Sequence, residues 1–421
     1  MKFYNNFKKI LIFFFLLIIS ISFLSLFFFC KSYSFQDYFW TVNDNIKSVS
    51  SSLENKKTEN NNFLNLESAS AILIDQYTGE ILYNHNIHEK LYPASVTKVM
   101  SILLIMENLN NNKFELSTKV PCSKNASSMG GSQIWLDPKE ELSVEDMLKA
   151  ICVNSANDCV VAMAEFIAGS EEGFVMMMND KAKKLGMNDT NFKNCHGLDE
   201  DGHYTSAYDI SLMSRELLNN YPEITKYTTI WMDTLRDGKS QLSNTNKLIK
   251  YYRGATGLKT GSTSLAKYNL SASAKRDNLS LIAVIMKAPS TKHRFNEAQK
   301  LLDYGFNTYT CKSFFKKDEL IKKINVTKGI KNEIAVTPEK DVEILIKKND
   351  ETKIKQVINL PKQVDSPIFK GQKLGELQFI INNKTISIIN LIANEDIKKL
   401  NYIYLAKNLI YNWFNLLRSS I

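Results

Sequence analysis

The chain has 421 residues, 44% hydrophobic and 23% charged, which suits an ordinary globular protein of two to three domains of roughly 150 residues each. Its 53 Lys and Arg against 44 Asp and Glu leave a mild net charge of +9, spread along the chain. That balance suits a surface approaching anionic membrane or cell wall, and with no nucleic-acid motif present it gives no ground for a nucleic-acid partner.

Lys2, Lys8 and Lys9 precede an apolar run from Ile10 to Phe29, interrupted only by Ser20, Ser22 and Ser25. A basic start before an apolar block is an export signal. At about twenty residues the run is also long enough to span a bilayer. Residues 1–34 are therefore a signal cleaved near Ser32-Tyr33-Ser34, or a retained N-terminal anchor, and the rest of the chain works outside the cytoplasm. Phe29-Cys30 is a poor lipoprotein box, because that site prefers a small residue before the cysteine.

Residues 35–66 are rich in Ser, Asn and Lys and read as a flexible tether. Order is expected from Ala69, with a hairpin through Ile72-Leu73-Ile74, the turn Tyr77-Thr78-Gly79, and Ile81-Leu82-Tyr83. A helix opens at Tyr92-Pro93-Ala94-Ser95-Val96-Thr97-Lys98 and ends in the asparagines at 108–112. A strong helical region covers 143–169, starting at Ser143 with Glu145 and Asp146, broken at 154–157 and stopped by Gly169. Asp209 to Leu218 is a further helix. Tyr268 to Ala274 alternates like a strand, Leu279 to Met286 is a more buried one, and a helix at 292–304 closes the unit near Cys311.

After 312 the texture changes to short β-branched runs such as Ile334-Ala335-Val336, Val342 to Ile346 and Lys384 to Ile389, with Gly371 to Glu376 as a strand-to-strand turn. This predicts a small all-β domain over 312–394. Residues 396–418 read as a helix with Asn401, Asn408, Asn412 and Asn415 on one arc and aromatics elsewhere. Lys398, Lys399, Lys407 and Arg418 can reach lipid phosphates, and the pattern suits a membrane interface over 395–421.

Ser95 and Lys98 differ by three, so both side chains lie on one helix face. A lysine among apolar residues has its charged form disfavoured and becomes a base, able to take the proton of a neighbouring serine. Ser155-Ala156-Asn157 supplies S-x-N and Lys259-Thr260-Gly261 supplies K-T-G. The order S-x-x-K, S-x-N, K-T-G resembles the signature of penicillin-binding proteins and active-site serine β-lactamases.

Over residues 67–311 the chain resembles the low-molecular-mass penicillin-binding proteins of the D-alanyl-D-alanine carboxypeptidase type. Asn194-Cys195-His196-Gly197-Leu198 and Arg294-Phe295-Asn296-Glu297 add to the likeness, while Ala156 within S-x-N is a neutral departure. The resemblance implies an α/β (α+β) catalytic domain of the β-lactamase/transpeptidase type. That is an antiparallel sheet flanked by helices with a helical subdomain, followed by the all-β domain and the C-terminal amphipathic helix.

It further implies that Ser95 attacks the carbonyl between two terminal D-alanines while Lys98 accepts its proton. Ser155 would pass a proton to the leaving D-alanine, with Lys259 holding that hydroxyl in an electropositive setting. Asn157 would hydrogen-bond Lys98 and the substrate amide, and the N–H groups of Ser95 and Ser262 would form an oxyanion hole. Thr260, Gly261, Ser262 and Arg294 form the substrate-binding set; Thr260 and Ser262 take the terminal carboxylate and Arg294 adds charge less directly. The implied partners are peptidoglycan stem peptides ending in D-Ala-D-Ala, β-lactams as covalent inhibitors, and the extracytoplasmic face of a bacterial membrane. No cofactor or metal is implied, and the sequence is silent on oligomeric state. Rival readings are a DD-endopeptidase, a β-lactamase, or a catalytically silent penicillin-binding sensor.

Other candidates carry less. Glu216-Leu217-Leu218-Asn219 resembles the deacylating glutamate element of β-lactamases but sits in a regular helical pattern and reads as structural. His85 and His88 lack a third metal ligand, and His196 reads as a loop residue satisfying backbone groups. Six cysteines are too few for a disulfide scaffold in so long a chain, and Cys152 and Cys159 read as small buried hydrophobes. One disulfide among the exported five stays open.

Overall fold

The computed structural model describes residues 63–402 together with 404, 406 and 409–411. The N-terminal signal or anchor, nearly all of the 35–66 tether and most of the terminal helix lie outside the described residues.

Strands β1 (Ser70–Asp75) and β2 (Ile81–His85) form the expected hairpin. Asp75 closes its turn by accepting bonds from the N–H and hydroxyl of Thr78, each 2.7 Å. Helix α1 (Lys98–Asn110) follows, buried continuously from Lys98 to Met106. A short pair, β3 (Lys119–Pro121) and β4 (Glu141–Ser143), leads into α2 (Val144–Lys149), whose cap Ser143 accepts from Asp146 N–H at 3.1 Å. A π-turn over Ala150–Asn154 and a left-handed Ser155 separate α2 from α3 (Asn157–Ala168). The expected break thus falls at Ser155. Helices α4 (Glu171–Lys184) and α5 (Ala207–Asn220) complete the helical part, each opened by a capping serine. The hairpin β5 (Met232–Leu235) and β6 (Ser240–Ser243) precedes β7 (Ala255–Thr263), β8 (Lys267–Arg276), β9 (Leu279–Ala288) and α6 (Thr291–Thr308).

The main sheet runs β2-β1-β9-β8-β7 and is antiparallel throughout. Both faces are covered, which is why β1 and β9 read as unbroken apolar runs. Ile72, Ile74, Ile282 and Val284 point into the core made with α1, α3 and α5. Their neighbours Ala71, Leu73, Leu281 and Ala283 point the other way, against Leu301, Leu302 and Phe306 of α6. This is the mixed α/β catalytic architecture the motifs implied. Strand β7, carrying Lys259-Thr260-Gly261, forms one edge and is therefore open to the turn that holds Ser95.

The C-terminal module contains β10 (Tyr309–Phe315), β11 (Lys322–Thr327), β12 (Glu333–Pro338), β13 (Val342–Lys347), β14 (Lys355–Asn359), β15 (Gln363–Asp365), β16 (Lys373–Ile381) and β17 (Lys384–Ala393). Its six-stranded sheet runs β14-β16-β17-β12-β11-β15, beside the β10–β13 ribbon. An all-β module is what the composition implied.

Several details differ from the sequence reading. Phe63 stacks edge-on against Tyr83 and Tyr304, and Leu66 is buried, so the end of the expected tether is docked on the sheet. Strand β10 crosses the 311/312 divide, pairing Cys311 with Leu345. The turn read at Gly371 to Glu376 closes by Gln372, and from Lys373 the chain is strand, with Leu374, Leu377 and Phe379 buried. Residues 396–400 are extended rather than helical. Ile397 is buried and bridged to Ile368, and Lys399 to Gly329, so the sheet captures this stretch before any helix begins. The cysteines at 122, 152, 159, 195 and 311 are free thiols.

Asp158, fully buried at the first turn of α3, fixes the loop before β4. It accepts N–H bonds from Ile134 at 3.1 Å, Leu136 at 3.1 Å and Cys159 at 2.9 Å. Asp158→Ala leaves those donors buried without partners, so it should lower stability by about 3 kcal/mol. Urea unfolding checks this, and a loss of under about 0.5 kcal/mol would contradict it.

Candidate active site

The site begins with a turn that sequence periodicity did not resolve. Ala94–Thr97 is one turn of 3₁₀-helix, and α-helix starts only at Lys98. In a 3₁₀ turn, side chains three apart eclipse one another. Ser95 and Lys98 are therefore stacked, with Lys98 Nζ 3.0 Å from Ser95 Oγ. Two glycines let backbone approach this turn closely. A Cβ on Gly261 would lie 2.8 Å from Pro93 O and 2.9 Å from Ser95 N; one on Gly197, at φ +92°, would lie 1.9 Å from Ala94 O.

Lys98 is fully buried, and its Nζ has two further partners: Asn157 Oδ1 at 2.6 Å and the His196 carbonyl at 2.6 Å. The Asn157 orientation follows from its other end. Nδ2 donates to Gly130 O at 2.7 Å, and a carbonyl only accepts, so Oδ1 must face Lys98. Burial, aided by the neighbouring Lys259 charge, holds the Lys98 amine well below its ordinary range. A neutral amine has two N–H donors and one lone pair. The two obligate acceptors take the N–H groups, which leaves the lone pair facing the Ser95 hydroxyl.

Ser155 sits at φ +64°, a left-handed residue that ends the π-turn just before α3. Its Oγ is buried and has no hydrogen-bond partner among the described residues. Lys259 is also buried; its Nζ donates to Thr260 O at 3.0 Å. Burial pulls this amine down to about 7. Thr260 Oγ1 is 2.6 Å from Thr245 Oγ1, and Ser262, exposed, follows on the same edge strand. The structure thus brings Ser95, Lys98, Ser155, Asn157 and the K-T-G strand to one place.

Arg294 lies behind the K-T-G strand. Its Nη1 donates to Gly261 O and Asn269 O, both at 3.2 Å, and its guanidinium lies 4.7 Å from the Phe295 ring. It braces β7 against β8 from within the protein. His196 acts through its backbone carbonyl, and its ring is part of the scaffold. Nδ1 accepts from Leu198 N–H at 3.1 Å, Nε2 lies 3.4 Å from Glu171 Oε1, and burial pulls the ring down to about 3, so it is neutral. Glu171 also accepts from Cys195 N–H at 3.0 Å. Glu216 is paired with Lys181 at 3.2 Å, and His88 with Asp189 at 2.8 Å. No group of side chains able to hold a metal occurs among the described residues.

The His196 carbonyl, Gly130 and Glu171 were not singled out from sequence for these roles. The Asn194-Cys195-His196-Gly197 motif flagged the right loop, but residue type does not encode the work of a backbone oxygen.

A family model described as D-alanyl-D-alanine carboxypeptidase matches residues 55–290, and one described as penicillin-binding protein 5, C-terminal domain, matches 309–399. The D-alanyl-D-alanine carboxypeptidase DacF of Bacillus subtilis is 46% identical over 82% of this chain and 90% of its own length. DacC of Escherichia coli is 33% identical over 78% of this chain and 84% of its own. Among solved structures, penicillin binding protein 5 from Haemophilus influenzae is 31% identical with a TM-score of 0.72, covering 79% of this chain and 98% of that one.

The Lys259 environment has a measurable consequence. The unfolded chain keeps that proton up to the ordinary value of 10.5, whereas the folded site releases it at about 7. Between those values the unfolded state binds the extra proton, so stability rises with pH. Urea unfolding between pH 7 and pH 10 should show this rise, and Lys259→Met should flatten it. Equal slopes in the two proteins would contradict the assignment.

Proposed function

The chain belongs to the D-alanyl-D-alanine carboxypeptidase family and is a serine peptidase of that class, and we propose that Ser95 is its nucleophile and Lys98 its base. It removes the terminal D-alanine from peptidoglycan stem peptides and binds penicillins, as its family does. The carrying observation is the Lys98 amine, whose two N–H groups are committed to Asn157 Oδ1 and His196 O while its third direction meets Ser95 Oγ.

In the proposed sequence, Ser95 Oγ attacks the carbonyl carbon of the penultimate D-alanine and its proton passes to Lys98 Nζ. The oxyanion is held by the N–H groups of Ser95 and Ser262. Collapse breaks the C–N bond, and the Ser155 hydroxyl delivers a proton to the departing amine; on this proposal Lys259 replaces that proton. Thr260 and Ser262 bind the terminal carboxylate, with Gly261 keeping the strand close to Ser95 and Arg294 bracing it from behind. Lys98 first gives up the proton it took and Lys259 regains one, so the Lys98 amine is free again. Water then attacks the ester carbonyl, its proton passes to Lys98, and Lys98 returns that proton to Ser95 Oγ as the ester bond breaks. A β-lactam enters by the same attack and leaves slowly.

The family's work is extracytoplasmic, and we place this chain at the extracytoplasmic face of the bacterial cell membrane. The Ile10–Phe29 run and the residues beyond Leu400, with Tyr402 and Tyr411 exposed, support that reading. No helix among the described residues is long and apolar enough to cross a membrane. The β module then serves as a stalk towards the wall.

Labelled penicillin should tag the full chain, and Ser95→Ala should abolish the tag; continued labelling would overturn the nucleophile assignment. Lys98→Met should slow acylation by about 10³-fold, checked by quenched-flow labelling. The unsubstituted chain should release free D-alanine from a peptide ending in D-Ala-D-Ala, and silence there would favour a penicillin-binding sensor. Deleting 401–421 should release the chain from membranes on sedimentation if the N-terminal run is cleaved; retention would assign the anchor to Ile10–Phe29.

A further inference from the structure

Beside the K-T-G strand lies a separate cavity of about 410 Å³, between the one-turn helix at Leu248–Tyr251 and the first turns of α6. Both walls are tied to the site strand. Thr245 meets Thr260 at 2.6 Å, Asn246 Nδ2 donates to Gly257 O at 3.0 Å, and Arg294 Nη1 donates to Gly261 O at 3.2 Å. The volume is in the range of small-ligand pockets. Its lining combines Tyr251, Leu248 and Phe295 with Asn296, Gln299 and Lys292.

Tyr251 is 67% exposed, so one face of its ring is open to a ligand. It is held in place: its ring stands edge-on to Trp231 at 6.3 Å, and Lys250 Nζ lies 5.2 Å from the Trp231 ring and 5.4 Å from the Tyr251 ring. A pyranose has one face of C–H groups that stacks on such a ring, and a rim of hydroxyl and acetamido groups needing donors and acceptors. Asn296 and Gln299 offer both. Lys247 and Lys292 also line the cavity, and an anionic ligand held by them would be lost in high salt.

We propose that this cavity binds an N-acetylated amino sugar of the glycan strand that carries the stem peptide. Tyr251 is the stacking platform, and Asn296 and Gln299 are the hydrogen-bonding edge. The inference rests on the reading that the chain hydrolyses stem peptides. A sugar held at the flank of β7 would leave its peptide free to run along that strand to Ser95, favouring polymeric wall over free peptide.

The test titrates the full chain with a peptide-free tetrasaccharide of β-1,4-linked N-acetylglucosamine while following tryptophan fluorescence, which Trp231 reports beside Tyr251. A saturable change is expected, and Tyr251→Ala or Asn296→Ala should abolish it; both positions are exposed, so the variants fold. In parallel, D-alanine release is measured on insoluble peptidoglycan and on a short peptide. Tyr251→Ala should slow the polymer reaction about fivefold and leave the peptide reaction unchanged. No saturable change, or an equal effect on both substrates, would overturn the proposal. So would a response that survives Tyr251→Ala but is lost in high salt and in Lys292→Gln, which would point to an anionic polymer. If the unsubstituted chain fails on the short peptide, the peptidase reading falls while the tetrasaccharide titration still decides the sugar site.

Discussion

A lysine amine buried among three oxygen atoms is the constraint on which this structure turns. In water the amine would be an ammonium donating three bonds. Within the protein its charge is unsupported by any carboxylate at bonding distance, and its partners are an amide oxygen, a backbone carbonyl and a hydroxyl. Two of those three can only accept. The third can reverse its role, and that freedom is what lets the buried lysine serve as the base we propose for Ser95.

The surrounding architecture can be understood as the means of holding those oxygens still. Helix α1 is buried on all sides, which removes Lys98 from water. Asp158 pins the loop that supplies Gly130, and Gly130 O in turn fixes the Asn157 amide. Asn194 Oδ1 accepts from Gly197 N–H at 2.7 Å, which shapes the loop presenting the His196 carbonyl. The edge strand β7 closes the arrangement, brought against the Ser95 turn because Gly261 has no side chain. Arg294 holds that strand from the protein side, a bracing role in which its charge faces carbonyl oxygens.

Much of this was legible in the sequence, for identifiable reasons. The apolar run Ala71 to Ile74 ahead of the turn Tyr77-Thr78-Gly79 made β1 readable as one arm of a hairpin, while its burial between two cores is a matter of packing. Ser95, Lys98, Ser155, Asn157 and Lys259 were readable because their chemistry resides in side chains at recognisable spacings. The His196 carbonyl was not, since every residue has one. Arg294 was readable only as a charge acting on the site indirectly; its bonds to Gly261 O and Asn269 O come from packing that no local pattern contains. The amphipathic pattern from Lys398 onward suggested helix from 396, but Ile397 was claimed by Ile368 and the strand edge, a tertiary contact no local pattern contains. At the other end, Phe63 and Leu66 lay in a polar stretch whose docking depends on Tyr83 and Tyr304.

The account stands on the protonation state of Lys98, which NMR can read directly. In the full chain labelled with ¹³C at lysine Cε, the Lys98 resonance, identified by its loss in Lys98→Met, should have the chemical shift of a free amine at neutral pH. It should move to that of an ammonium only on acidification. A Lys98 resonance already in the ammonium position at neutral pH would contradict the claim that burial and its two acceptors turn this lysine into the base for Ser95.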